Sequence, residues 1–288
     1  MTNREVVDRI LAYHPKFPED YHGCDDWKTG NPDDECTGIV TTLAATVNVV
    51  RKAAELGANL IIVHEPTFYT SEDGPGWFED FPNEVYEEKR RIIDEHGIAI
   101  WRDHDHIHTH EPDGIFTGMV KYMGWEGMVR QSTKDGMMSP FIVDFPEMSL
   151  RELCRELIVK LGINGLRYVG DPDAKVKSMA MVGHLYPNSF PASHRDGSPA
   201  EYSVSVIDVL ESEADVLLPG EVIDWTVLSY ARDAMQLGRN KAVINIGHYN
   251  GEELGMKYAK IWLGELIEHC VPIAYVPTED MYGYEVRE

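Results

Sequence analysis

At 288 residues, 43% hydrophobic and with a formal charge of −23, the chain can bury a substantial core and is too acidic to attract a nucleic-acid backbone. No apolar run reaches bilayer-spanning length, and the start, MTNREVVDRILAYHP, lacks the apolar core and cleavage site of a signal peptide. A cytoplasmic protein is therefore expected, with neither nucleic acid nor membrane as partner, and the four scattered cysteines, without CxxC spacing, indicate neither a disulfide framework nor a thiolate zinc site.

Apolar runs of strand length alternate with helical patterns, which predicts an α/β architecture. GIVTTLAAT (38–46) reads as a strand, VNVVRKAAELG (47–57) as a helix stopped by Gly57, and ANLIIVH (58–64) as the next strand, which leads directly into HEPTFY. DGPGWFEDFPNE (73–84) reads as a surface excursion. NEVYEEKRRIIDEHG (83–97) is a predicted helix, and IAIW (98–101) a short strand running into WRDHDHIHTHEPDG, which holds four of the chain's twelve histidines. SLRELCRELIVKLG (149–162) reads as a helix with a Ser149/Glu152 capping box, and KSMAMVGH (177–184) as a buried strand ending at His184. ADVLLPGE (214–221), a helix over 222–238 and the strand KAVINIG (241–247) follow, the last opening onto HYNGEE; VPIAYVP supplies a final strand.

Two α/β halves, 1–145 and 146–288, are expected to form one compact unit. A faint echo links them: Ala53-x-x-Leu56-Gly57-x-Asn59 in one and Ala234-x-x-Leu237-Gly238-x-Asn240 in the other. In open α/β sheets ligands bind outside the carboxyl ends of strands. Three such ends here carry side chains that can ligate a metal.

His248 and Glu252 are four apart at the start of a helix predicted from about Asn250, so they can share one cation. His64 and Glu65 are neighbours that point apart in a regular strand; Pro66 makes a bend there plausible. In RDHDHIH the candidates are Asp103, His104, Asp105, His106 and His108, and His104, His106 and His108 face one side if the strand continues. Imidazoles mixed with carboxylates suit zinc, manganese, iron or nickel, not a calcium cage. His104, or Glu221 in PGE, is the candidate for moving protons, while Asp103 and Asp105 are placed to orient ligating histidines.

Over most of its length the chain resembles the Nif-three-like proteins, also labelled GTP cyclohydrolase I type 2-like. VINIGHYNGEELG is similar to that family's Gly-His-x-x-x-Glu metal motif, GANLIIVHEPTFY to its His-His-Pro segment, and WRDHDHIH to its strand followed by His-x-x-x-Asp. The resemblance implies two interlocked α/β halves with a metal site at the carboxyl ends of strands between them, in a ring-shaped homohexamer. It also implies two divalent metal ions held by His64, Glu65, His108, His248 and Glu252. Glu65 stands where the family has a second histidine and His108 where it has an aspartate; Asp105 or His106 remains an alternative to His108. Ala45 replaces an aspartate of the family's first strand. The expected activity is metal-dependent hydrolysis of an unidentified small molecule, such as a cyclic amide, purine or phosphoester. A metal-delivery protein or a regulatory scaffold without turnover is the alternative.

Overall fold

The computed structural model describes residues 1–17, 23–70, 73, 83–134, 140–185, 191–193, 199–201, 205–222 and 224–285. Most of the 73–84 excursion and the side chain of His184 lie outside the described residues. The chain divides into two compact units, Met1–Gly118 with Glu253–Glu279, and Met119–Glu252 with Asp280–Glu288. The first break falls after Gly118 and not near residue 145, because the strands between 129 and 149 hydrogen-bond into the second unit's sheet.

The first unit opens with α1 (Asn3–Tyr13), started by a Thr2/Glu5 capping box. β1 (Trp27–Thr29), β2 (Ile39–Thr42), α2 (Val47–Glu55), β3 (Leu60–Val63), α3 (Glu84–Glu95) and β4 (Ala99–Arg102) follow. β2, β3 and β4 are parallel neighbours, and every residue in them is buried, as expected for strands covered on both faces. Val49, Val50, Ala53, Ile92 and Ile93 of α2 and α3 pack with Ile61 and Ile100 in one core. β1 runs antiparallel along β4. Beside it Gly30, at φ +77°, lies so near β4 that a Cβ would come 2.4 Å from Ala99 Cα. Two further helices, α4 (Asp105–His108) and α5 (Gly114–Met123), complete this stretch.

The second unit is built from β5 (Val129–Gln131), β6 (Phe141–Ser149), α6 (Leu150–Leu161), β7 (Arg167–Val169) and β8 (Lys175–His184), then the ribbon β9 (Pro191–Ser193) and β10 (Pro199–Glu201). α7 (Val206–Ser212), β11 (Val216–Glu221), α8 (Val227–Gln236) and β12 (Ala242–Asn245) follow. The sheet order is β5-β6-β8-β11-β12-β7, with β8, β11 and β12 parallel and the outer pairings antiparallel. The predicted capping box starts α6, and Gly162 ends it in the left-handed region.

The chain closes with α9 (His248–Leu266) and β13 (Ile273–Tyr275), which pairs parallel with β2 in the first sheet. The echoed segments are matching helix stops. Gly57 and Gly238 have φ +71° and +74°, and the next residues, Ala58 and Arg239, donate back to Ala53 and Ala234 carbonyls at 3.0 and 2.9 Å.

Candidate metal centre

The histidine-rich segment does not continue as a strand. After Arg102 the backbone turns into α4 because Asp25, far away in sequence, supplies the cap. Its carboxylate accepts from the backbone N–H of His104 at 2.7 Å, Asp105 at 3.0 Å and His106 at 2.8 Å. These are amides that the start of a helix leaves without intrahelical partners. Helical spacing thus replaces strand alternation, which corrects the expected shared face. His104 and His108 come together with ring centroids 5.0 Å apart, while His106 turns to Asp25, its Nδ1 2.7 Å from Oδ2.

His64, immediately after β3, completes the group. Its ring stacks on His104 at 4.5 Å and meets His108 edge-on at 4.8 Å. His64, His104 and His108 each offer one ligand atom, all within 4.8 Å of one another. His64 and His108 are buried. Two contacts fix ring orientation: His64 Nδ1 lies 3.2 Å from the Asp103 carbonyl oxygen, and His108 Nδ1 2.8 Å from Asp113 Oδ2. A carboxylate behind Nδ1 favours the tautomer that presents Nε2 as the ligand. The His104 pKa is lowered, first by burial and then by the neighbouring His64 imidazole; the nearby Asp105 carboxylate opposes this. Glu65 is also buried, its backbone tied to Leu43 O at 2.8 Å. Arg102 Nε donates to the His64 carbonyl at 3.0 Å, bracing the end of β3.

These residues fit a divalent transition metal. Three clustered imidazoles are a nitrogen-rich donor set of the kind zinc, nickel or iron prefers, and burial keeps His104 toward the neutral form that ligation requires.

The second unit carries candidate residues of its own. α9 begins at His248, two residues before the expected start, so His248 and Glu252 sit on one helical face with Nε2 2.7 Å from Oε2. On its other side His248 Nδ1 lies 3.6 Å from Glu221 Oε1, at the end of β11. Gly220 is needed here: a Cβ would fall 2.8 Å from Gly183 O and 3.4 Å from Glu252 Oε1.

Within the first unit His108, not Asp105 or His106, joins His64 and His104. Asp105 instead contacts His104 Nδ1 at 2.8 Å and the Cys24 thiol at 3.4 Å. Burial pushes the Cys24 pKa up, with Arg102 opposing and Asp105 and Asp25 adding to the rise. His104, expected to move protons, groups with His64 and His108. Three partners escape sequence reasoning: Asp25, Asp113 and His14, whose Nε2 is 3.2 Å from Asp103 Oδ2. Asp113 lies in the quoted histidine-rich stretch, but its spacing of five from His108 matches neither helix nor strand. Asp25 and His14 carry no signal at all.

The curated GTP cyclohydrolase 1 type 2 homolog of Clostridium acetobutylicum is 23% identical over 233 residues, spanning 77% of this chain and 75% of that protein. Among solved structures, a Staphylococcus aureus hypothetical protein superposes with TM-score 0.71 at 19% identity, covering 99% of each chain. A Bacillus cereus protein related to NIF3 gives TM-score 0.71 at 14% identity over 100% of this chain and 99% of that one. At such identities the structures establish the shared fold. The profile of Duf34/NIF3 (NGG1p interacting factor 3) matches residues 26–184, more than half of the sequence, and the chain belongs to the DUF34/NIF3 family.

Proposed function

We propose that the protein is a divalent-metal-dependent hydrolase acting on a small molecule, with two metal ions held by His64, Glu65, His108, His248 and Glu252. The observation that carries the reading is the convergence of His64, His104 and His108, the first and last of them buried. A helix-borne His248/Glu252 pair with Glu221 beside it supports the second part of the ligand set. A bound divalent cation supplies a water of lowered pKa at neutral pH and a Lewis acid for the developing negative charge.

The chain's own residues orient and neutralise. Asp113 fixes the His108 ring, and the Asp103 carbonyl fixes His64. His104 is assigned to this cluster as a further ligand, or as the group that takes a proton beside it; Glu221 is the corresponding exposed carboxylate next to His248. Purine, cyclic-amide and phosphoester substrates all suit this chemistry. The absence of GxxxxGK and GxGxxG motifs from the sequence gives no support to a dedicated nucleotide-phosphate loop.

The same reading takes the chain as a cytoplasmic ring-shaped homohexamer, to be checked as a particle of six 32.6-kDa chains by light scattering. Among the described residues no helix is long and apolar enough to cross a membrane.

The functional test is a panel of cyclic amides, purine nucleotides and phosphodiesters, offered to zinc- or manganese-loaded protein and to chelator-stripped protein. Metal-dependent product formation that disappears in His108→Ala supports the hydrolase. Stoichiometric metal with no turnover across the panel favours a metal-delivery protein.

A further inference from the structure

Behind the histidine triad, in the same unit, lies a different set of ionisable groups. Asp25, Asp103 and His106 are all buried, and each offers one ligand atom, the three lying within 4.8 Å of one another. His14, buried just beyond α1, adds its Nε2 3.2 Å from Asp103 Oδ2 and places its Nδ1 3.3 Å from His110 Nδ1.

The two carboxylates differ in how they are satisfied. Asp25 accepts three backbone amides at the start of α4 and sits 2.7 Å from His106 Nδ1. Burial would raise its pKa, but the His106 contacts and backbone amides outweigh that and hold it below the ordinary carboxylate value. Asp103 is fully buried, and its Oδ1 has no hydrogen-bond partner among the described residues. A fully buried carboxylate oxygen without a partner is the kind of group that a bound cation satisfies.

We propose that Asp25, Asp103 and His106 bind a structural zinc ion, distinct from the His64/His104/His108 cluster, with His14 orienting the Asp103 carboxylate. The donor set is that of zinc, imidazole nitrogen with carboxylate oxygen. Tetrahedral zinc holds such ligand atoms roughly 3.3 Å apart, so the present spread has to contract by no more than about 1.5 Å. The ion joins three segments: the residues before β1, the end of β4 and the middle of α4. It therefore fixes the platform from which His104 and His108 project. His14 acts on Asp103 as a second layer of contact, in the way carboxylate–histidine pairs brace metal ligands elsewhere.

The site is tested by anomalous diffraction at the zinc edge from crystals of the full chain grown with zinc. In parallel, zinc is counted after exhaustive dialysis in the wild type, Asp103→Asn and His106→Gln. The expected result is an anomalous peak about 2.0–2.2 Å from atoms of Asp25, Asp103 and His106. One zinc per chain, beyond any metal held by the proposed catalytic centre, should survive dialysis in the wild type and be lost in both variants. The same count in a His64→Ala/His108→Ala background separates this site from the catalytic proposal: one equivalent should remain there and vanish when Asp103→Asn is added. A peak confined to the histidine triad overturns the inference. So does a peak here that leaves no retained zinc, which marks an adventitious ion only. The crystal of the wild-type protein decides the matter even if a variant fails to fold.

Discussion

Asp113 serves two neighbours with one carboxylate. Oδ2 faces His108 Nδ1, while Oδ1 accepts the backbone amides of Ile115 and Phe116 at 2.8 and 2.9 Å, capping α5. Asparagine caps helices about as well as aspartate but carries no charge to strengthen the ring nitrogen. Asp113→Asn should therefore leave the melting temperature nearly unchanged and weaken metal affinity by about 10- to 100-fold, measured by competition with a chromophoric chelator. Unchanged affinity would remove Asp113 from the centre. Lys89 offers a second residue-level prediction. It is buried in α3, its ammonium donating to the Thr67 carbonyl and lying 5.5 Å from the Phe68 ring centroid. Burial pushes its pKa down to about 8. The folded chain thus binds fewer protons than the unfolded one between about pH 8 and 10.5, so stability rises with pH across that window. Relative to Lys89→Met, the wild type should gain on the order of 3 kcal/mol at most over this range in urea unfolding. A flat difference would contradict the shift.

Individual elements were readable where local rules suffice. The Ser149/Glu152 capping box is present as read, and Ser149→Ala should cost about 1 kcal/mol of unfolding free energy, without altering the denaturant slope. The helices over 84–95 and 150–161 differ from their predicted limits only at the ends, because amphipathic periodicity and caps are both local. α4 was not readable. Its conformation is imposed by Asp25, which lies 79 residues from His104, and no periodicity in DHDHIH could announce that contact. α8 likewise starts at Val227 instead of residue 222. Within the first unit α9 meets α5 through glycine: a Cβ on Gly255 would stand 2.6 Å from Ile115 Cα, and one on Gly118 would stand 2.6 Å from Gly255 Cα. Backbone cannot yield as a flexible side chain can. Gly255→Ala should accordingly cost about 1–3 kcal/mol or more through overpacking, in spite of alanine's better helix propensity. A stabilised variant in thermal unfolding would show that the two helices can move apart.

At the scale of the whole molecule, the α/β class and the strand ends carrying His64, His104 and His248 followed from apolar runs giving way to polar clusters. The limits of the compact units did not. β6 pairs antiparallel with β8 in the second sheet, while β13 returns to the first sheet beside β2; such pairings depend on register between strands far apart in sequence. The polar inventory of the centre was legible by residue type, and its partition was not: the five candidates in 103–108 resolve into His104 and His108 with His64, Asp103 and His106 with Asp25, and Asp105 beside Cys24 and His104. The central claim is that the His64/His104/His108 cluster holds a metal. The direct measurement is metal content per chain by plasma mass spectrometry on untagged protein, compared with His108→Ala and His248→Ala. The account predicts near-stoichiometric metal in the wild type that falls in both variants. Absence of retained metal, even after reconstitution with zinc, manganese and iron, would contradict it.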